Sequence, residues 1–273
     1  MRHTLSNANW TATVDRTGGM VRRLTLGHDN LLRPMPDQAQ EPRQASCYPL
    51  LPFANRIDQA RLAIDRRVAV ITPAPSEPHG LHGTGWHAVW TLGAQSSDHL
   101  LLTLQGGGDP SWPWRWAAQQ QFTLSASGLT IELILTNMDR VPAPASIGLH
   151  PAFVLGKGTR IETAIDGIWD CGPDLIPNGW RSTDWQTIGN RELDNCLTGW
   201  SGKAIIHAPD RPPITLTANT SHLQVYRPKD ADFICLEPVT ARPNVWTPIE
   251  NTPAATAILD PQEQLVVTMT LSA

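Results

Sequence analysis

Twenty glycines and 24 prolines punctuate a chain of 273 residues, about one position in six. Proline locks φ and lacks the amide hydrogen that helix interiors and central strands need, and glycine loses the most freedom when held in either. Breakers this dense leave little room for long helices and predict many short elements joined by turns. The apolar patterning agrees: helical spacing is scarce and strand-like alternation is common. Residues 100–104 (LLLTL) form a short apolar run that ends in the glycines at 106–108. Residues 121–124 lead through Ser127 and Gly128 into the run at 129–136, and two such runs joined by a Ser/Gly turn read as a β-hairpin. Residues 61–71 and 264–271 carry the same alternating, β-branched character. Short strands between turn clusters along the whole length predict a large antiparallel sandwich or barrel. No internal repeat, low-complexity linker or composition shift divides the chain, so residues 1–273 read as one all-β domain.

Composition then narrows the function classes. The net charge is −4, from 21 basic and 25 acidic side chains, so no basic excess is present to neutralise phosphates and a nucleic-acid partner is not expected. Apolar residues make up 41% and charged residues 17%, which fits a packed protein and not a disordered one. Cys47, Cys171, Cys196 and Cys235 form no CxxC, lie too far apart for a zinc knuckle, and are too few for a disulfide scaffold, so they read as reduced thiols. The N-terminal residues lack an apolar run, and no stretch of about 18 apolar residues occurs, so the expectation is a cytoplasmic protein without a membrane span. Eleven tryptophans stand against two tyrosines and four phenylalanines. Tryptophan stacks on sugar rings and fills cores equally well, core packing being the commoner use.

Chemistry is concentrated where polar residues interrupt apolar, turn-rich segments. In PLLPFANRI, Asn55 and Arg56 follow a proline-bracketed stretch; an Arg fork holds hydroxyl or carboxylate oxygens, although an ordinary surface arginine fits the pattern equally. In HGLHGTGW, the HxxH spacing of His79 and His82 would suit a metal on a helix, but three glycines argue for a loop and no third ligand is in view, so no metal is expected. Such a loop instead presents imidazoles to a small polar ligand or to its own carbonyls. In GLHPAF, Pro151 favours extended backbone at His150, and the apolar flanks suggest a partly buried ring, either catalytic or structural. In FICLEPVT, Glu237 ends an apolar strand. Burying a carboxylate is costly unless compensated, and desolvation would strengthen it as a base; hydrogen bonding to turn amides is the plain alternative. Asp194, in LDNC, is either a turn cap or a further polar ligand.

Taken in chain order, PLLPFANRI, HGLHG with its tryptophan, the Trp/Pro cluster at 111–116, GLHPAF, LDNCLTGW and CLEPVT resemble the aldose 1-epimerase (galactose mutarotase-like) family over roughly residues 15–270. The resemblance implies a large antiparallel β-supersandwich with an open cleft on one sheet. It also implies an aldose 1-epimerase that interconverts the anomers of a free monosaccharide without cofactor or metal. It makes His150 the general acid and Glu237 the general base. Arg56, His82 and Asp194 become ligands of the sugar hydroxyls, with Asn55 at the edge of the site. His79 falls at a less informative position, and Ala152 stands where the family motif usually has tyrosine. Three other readings compete: a non-catalytic carbohydrate-binding sandwich, a hexose-phosphate epimerase, which would need extra cations, and a glycoside hydrolase pairing Asp194 with Glu237.

Overall fold

A computed structural model describes residues 1–73, 77–209, 211–250, 252 and 257–273. Two antiparallel sheets of eight strands each carry the architecture. The first runs, in spatial order, through Thr91–Gln95, His99–Gly106, Trp116–Ser125, Gly128–Asn137, Gln264–Ser272, Arg211–Ala218, Lys203–Ala208 and Arg160–Thr163. Its centre is the expected hairpin, paired from Ser125 opposite Gly128 to Trp116 opposite Asn137. Side chains alternate across a strand, so Ala118, Phe122, Leu124, Leu129, Ile131 and Leu133 all turn into the core while their neighbours face outward.

The second sheet bears Asp194 and Glu237, with His150 between two of its strands, and a separate strand pair carries Arg56. Eight short strands matter here: β1 (Pro49–Leu50), β2 (Arg56–Ile57), β3 (Gly80–Leu81), β4 (Gly148–Leu149), β5 (Ala152–Val154), β6 (Leu193–Thr198), β7 (His222–Arg227) and β8 (Phe233–Val239). The sheet order is Pro177–Ser182, Gly167–Cys171, β6, β7, β8, β4, β1, with β5 also paired to β8; β2 and β3 pair with each other. On β8, Ile234 and Leu236 belong to the main core, which also takes in Val267 and Met269 of the first sheet. Cys235 and Glu237 turn the other way and line a cavity. Register extends that face across the sheet: Ala152, Cys235, Tyr226 and Asp194 form one row, and Glu237, Gln224 and Cys196 the next.

The structure adds two elements to the sequence reading and agrees with it on the tryptophans and the scarcity of helix. Residues 2–30 form a four-stranded antiparallel sheet, stitched to the large hairpin by Trp10 Nε1 donating to the Ala126 carbonyl at 3.1 Å. Residues 61–71 form a tight hairpin, Arg61–Ile64 with Arg67–Val70, turning at Asp65 with φ of 51°. The tryptophans serve mainly as core, with Trp10, Trp90 and Trp114 among the largest fully buried side chains. Among the described residues, the α-helix is limited to Trp185–Ile188, and no helix is long and apolar enough to cross a membrane.

Two loops are knitted together beside the polar face. Thr84 and Gly85 donate to the Leu51 carbonyl at 3.0 and 3.1 Å, and Leu51 bridges Gly83 in parallel. Gly83 sits at φ of +69°, and a Cβ there would lie 2.1 Å from the Leu51 carbonyl oxygen. Gly83→Ala is therefore expected to lose at least about 1 kcal/mol of stability in urea unfolding, from the left-handed backbone alone. Leu236→Ala, on the core side of β8, should cost roughly 2–5 kcal/mol in the same measurement.

Candidate active site

All six residues named from the sequence, Asn55, Arg56, His82, His150, Asp194 and Glu237, line one cavity of about 260 Å³. Its wall is built where β8 meets the segment joining β4 to β5. His150 follows β4, and its backbone N–H donates to the Tyr48 carbonyl at 2.9 Å. Its ring stacks on that of Tyr48, with centroids 4.3 Å apart and planes 18° from parallel. Glu237 reaches it from β8, and His150 Nε2 lies 3.1 Å from Glu237 Oε1, the two side chains being only 11% and 2% exposed. Burial, reinforced by the nearby charge of Asp194 and opposed by Arg56, holds the Glu237 carboxyl well above its usual range. Burial, with the charge of Arg33 adding to it, depresses the His150 imidazolium. The two directions together describe a pair that shares one proton and resists both a second proton and the loss of the last.

The opposite wall comes from the knitted loops. Asn55 and His82 both occupy the left-handed backbone region, with φ of 60° and 58°. Each is held there by the other: the Asn55 N–H donates to His82 Nδ1 at 3.1 Å, and the His82 N–H donates to the Asn55 carbonyl at 2.9 Å. Asparagine and histidine are among the residues that tolerate this conformation best. Because Nδ1 accepts, the ring hydrogen belongs on Nε2. Burial first, then the neighbouring His150 and Arg56, keeps His82 well below the usual imidazole range, hence neutral. Arg56 is clasped between two carboxylates: Nη2 lies 3.1 Å from Asp194 Oδ2, and Nε lies 3.2 Å from Glu77 Oε1. Burial opposes its charge, but Asp194 and Glu77 prevail and hold the guanidinium above its ordinary range. Gln224 Nε2 donates to Asp194 Oδ1 at 2.7 Å, so both Asp194 oxygens are engaged. Asn55 Oδ1 accepts from the Arg56 N–H at 2.8 Å and from Nη1 at 3.3 Å.

Among the described residues, three buried polar atoms at this site, Glu237 Oε2, Gln224 Oε1 and His150 Nδ1, have no hydrogen-bond partner. Buried polar groups are normally paired, and Gln224 stands directly opposite Glu237 in the ladder. The arrangement thus combines a proton-sharing pair, a fixed guanidinium, a neutral imidazole donor and engaged carboxylates around a small polar chamber.

His79 stays outside it. The ring is fully buried, Nδ1 accepts from the Gln59 N–H at 3.1 Å, and Nε2 lies 3.0 Å from the Asp174 carbonyl, so it supports loops. Among the described residues no group of three or more His, Cys, Asp or Glu is placed to hold a metal ion, and the four cysteines are unpaired. Sequence reasoning passed over Glu77, Gln224, Tyr226 and Arg33, all lining the cavity or bonded to it. Gln224 had a faint signal, a polar residue on the alternate phase of HLQVYR; Glu77, in a proline-flanked turn, had none.

Comparison with known proteins bears on family and fold. The family model described as aldose 1-epimerase matches residues 1–272. The YphB protein of Escherichia coli K12, itself uncharacterized, is 29% identical over 266 residues, covering 89% of each chain. A solved structure of a candidate aldose 1-epimerase from E. coli K12 superposes with a TM-score of 0.88 at 26% identity, covering 100% of this chain and 98% of that one. The aldose epimerase homologue from Caenorhabditis elegans shares the fold, with a TM-score of 0.84 at 16% identity and coverage of 100% and 98%. Full-length agreement of family model and fold, on a chain whose conspicuous polar residues converge on one chamber, leads to one conclusion: the chain belongs to the aldose 1-epimerase family.

Proposed function

We propose that the chain is a mutarotase, interconverting the α and β anomers of a free aldose by opening and reclosing its ring. The observation that carries this reading is the 3.1 Å contact of His150 Nε2 with Glu237 Oε1 at the wall of a chamber ringed by Arg56, His82 and Asp194. Binding alone needs no such pair. At about 260 Å³ the chamber lies below the roughly 300–1,000 Å³ range of pockets for larger ligands, which suits a single sugar ring.

The chemistry follows from the residue types. Glu237, made more basic by burial, takes the proton of the C1 hydroxyl. His150 Nε2 delivers its proton to the ring oxygen, the C1–O bond to that oxygen breaks, and the open-chain aldehyde forms. The C1–C2 bond rotates, and the same two groups return the protons on the other face. Hydroxyl groups entering the chamber favour the form of the pair with the proton on imidazole, because they solvate both charges. Arg56, the His82 Nε2 hydrogen and Asp194 hold the remaining hydroxyls while C1 turns, a positioning role that can supply several kcal/mol. Asp194 fits this role better than that of a glycosidase nucleophile, since both of its oxygens are already bonded.

Glu237→Gln and His150→Asn should each slow anomer exchange by roughly 10²–10⁴-fold while retaining the wild-type thermal unfolding profile. Exchange spectroscopy by NMR across a panel of free aldoses measures this. Near-wild-type exchange in either variant would sink the role assignment, and sugar binding without accelerated exchange in the wild type would leave a binding module instead.

The pH dependence has a stated sign. The active pair carries one proton. Activity falls on the acid side only below the ordinary imidazole range, because burial depresses His150. It falls on the alkaline side only above the ordinary carboxylate range, because burial raises Glu237. The profile of kcat/KM should therefore be a broad plateau through neutrality, and a narrow bell centred between pH 4 and 6, on the order of unperturbed values, would contradict it.

A further inference from the structure

The proton-transfer scheme leaves two arginines of the chamber, Arg33 and Arg43, without an assignment. Arg33 lines the cavity beside Ala152, Phe233 and Cys235, with Arg43 adjacent. Its backbone N–H donates to the Ala152 carbonyl at 2.8 Å, its guanidinium carbon lies 4.1 Å above the centre of the Phe233 ring, and Nη2 donates to the Arg43 carbonyl at 2.8 Å. Stacking and that single hydrogen bond fix the plane of the fork while engaging only part of its donor capacity.

The neighbouring cations are matched. Arg56 has Asp194 and Glu77, and Arg43 has Glu41 with Nε to Oε1 at 3.3 Å. Among the described residues no carboxylate lies within ion-pair distance of Arg33, and its charge is felt at His150. Ala152, with no side chain beyond Cβ, lines the cavity with Arg33. Charge in the chamber is therefore divided, with Asp194 and Glu77 around Arg56 on one side and Arg33 and Arg43 on the other. A neutral aldose would offer the fork only hydroxyl oxygens, whereas a planar, partly engaged guanidinium pairs more strongly with a carboxylate or phosphate oxyanion.

We propose that the preferred substrate is an acidic aldose, a free sugar bearing a carboxylate or phosphate on the end remote from C1, with the oxyanion held by the Arg33 fork and assisted by Arg43. This rests on the mutarotase reading and specifies its substrate class. With C1 at His150 and Glu237, the sugar spans the chamber from the proton-sharing pair to the Phe233 wall.

Anomer exchange of D-glucose, D-galactose, D-glucuronate, D-galacturonate and D-glucose 6-phosphate would be measured with wild type, Arg33→Ala and Arg33→Lys. We expect kcat/KM for at least one acidic sugar to exceed that of its neutral parent by roughly tenfold or more, the span of one hydrogen-bonded charge contact, and the advantage to shrink with added salt. Uronates and the phosphate ester tell the two oxyanions apart. Arg33→Ala should collapse the acidic-to-neutral ratio through KM, and Arg33→Lys should keep part of it. A purely structural Arg33 would alter acidic and neutral sugars alike, and that result, or a wild-type preference for the neutral sugars, overturns the proposal. If none of the sugars exchanges faster, the mutarotase reading fails by itself. Calorimetric titration of glucuronate and glucose 6-phosphate then decides the anion site separately: binding lost in Arg33→Ala upholds it, and absent or unchanged binding overturns it.

Discussion

A buried carboxylate on an interior strand of a sheet is the constraint around which this protein is arranged. Glu237 lies on β8 with Leu236 on one side of the chain and Pro238 on the other, all buried. Transfer of an unpaired carboxylate to such a place costs several kcal/mol, so the group must either take up a proton or find a partner. Here it does both in part, through His150 at 3.1 Å. The imidazole is in turn held by its stack on Tyr48 and by its backbone bond to the Tyr48 carbonyl. The strand residue Glu237 is thus tied to the segment between β4 and β5, and that segment is bonded in turn to Ser46 and Tyr48 just before β1.

The rest of the chamber shows how a fold keeps several ionisable groups close without neutralising its usefulness. Arg56 absorbs the charge of Asp194 and Glu77, and Gln224 separates Asp194 from Glu237 in the strand ladder while donating to the former. Without that amide, adjacent rows of the sheet would face two carboxylates toward each other. The left-handed backbone at Asn55 and His82 is the local cost of bringing the loops together, offset by their reciprocal hydrogen bonds.

Much of this was legible in the sequence, for identifiable reasons. Turn density and alternation have a direct physical link to strands, so the all-β class and the central hairpin followed from them. The chamber-lining residues stood out because each is polar in an apolar or glycine-rich setting, a local inconsistency that marks candidate sites. Their roles came from the family resemblance, not from spacing. Glu77 and Arg33 remained hidden because they sit in proline-flanked loops where charge is unremarkable, and only the fold brings them to the chamber. The N-terminal sheet was hidden for another reason: its strands at Arg2–Asn7 and Trp10–Asp15 are polar on one face, and their apolar residues gain meaning only against the hairpin they cover.

Along β8 the odd-numbered positions 235 and 237 look into the chamber, while Ile234 and Leu236 look into the core between the sheets. Insertion or deletion of a single residue within this strand would exchange the two sets, sending the acid into the hydrophobic interior and leucine into the chamber. Loops around the chamber can change length without this exchange of faces, whereas a change in the length of that one strand needs a compensating bulge.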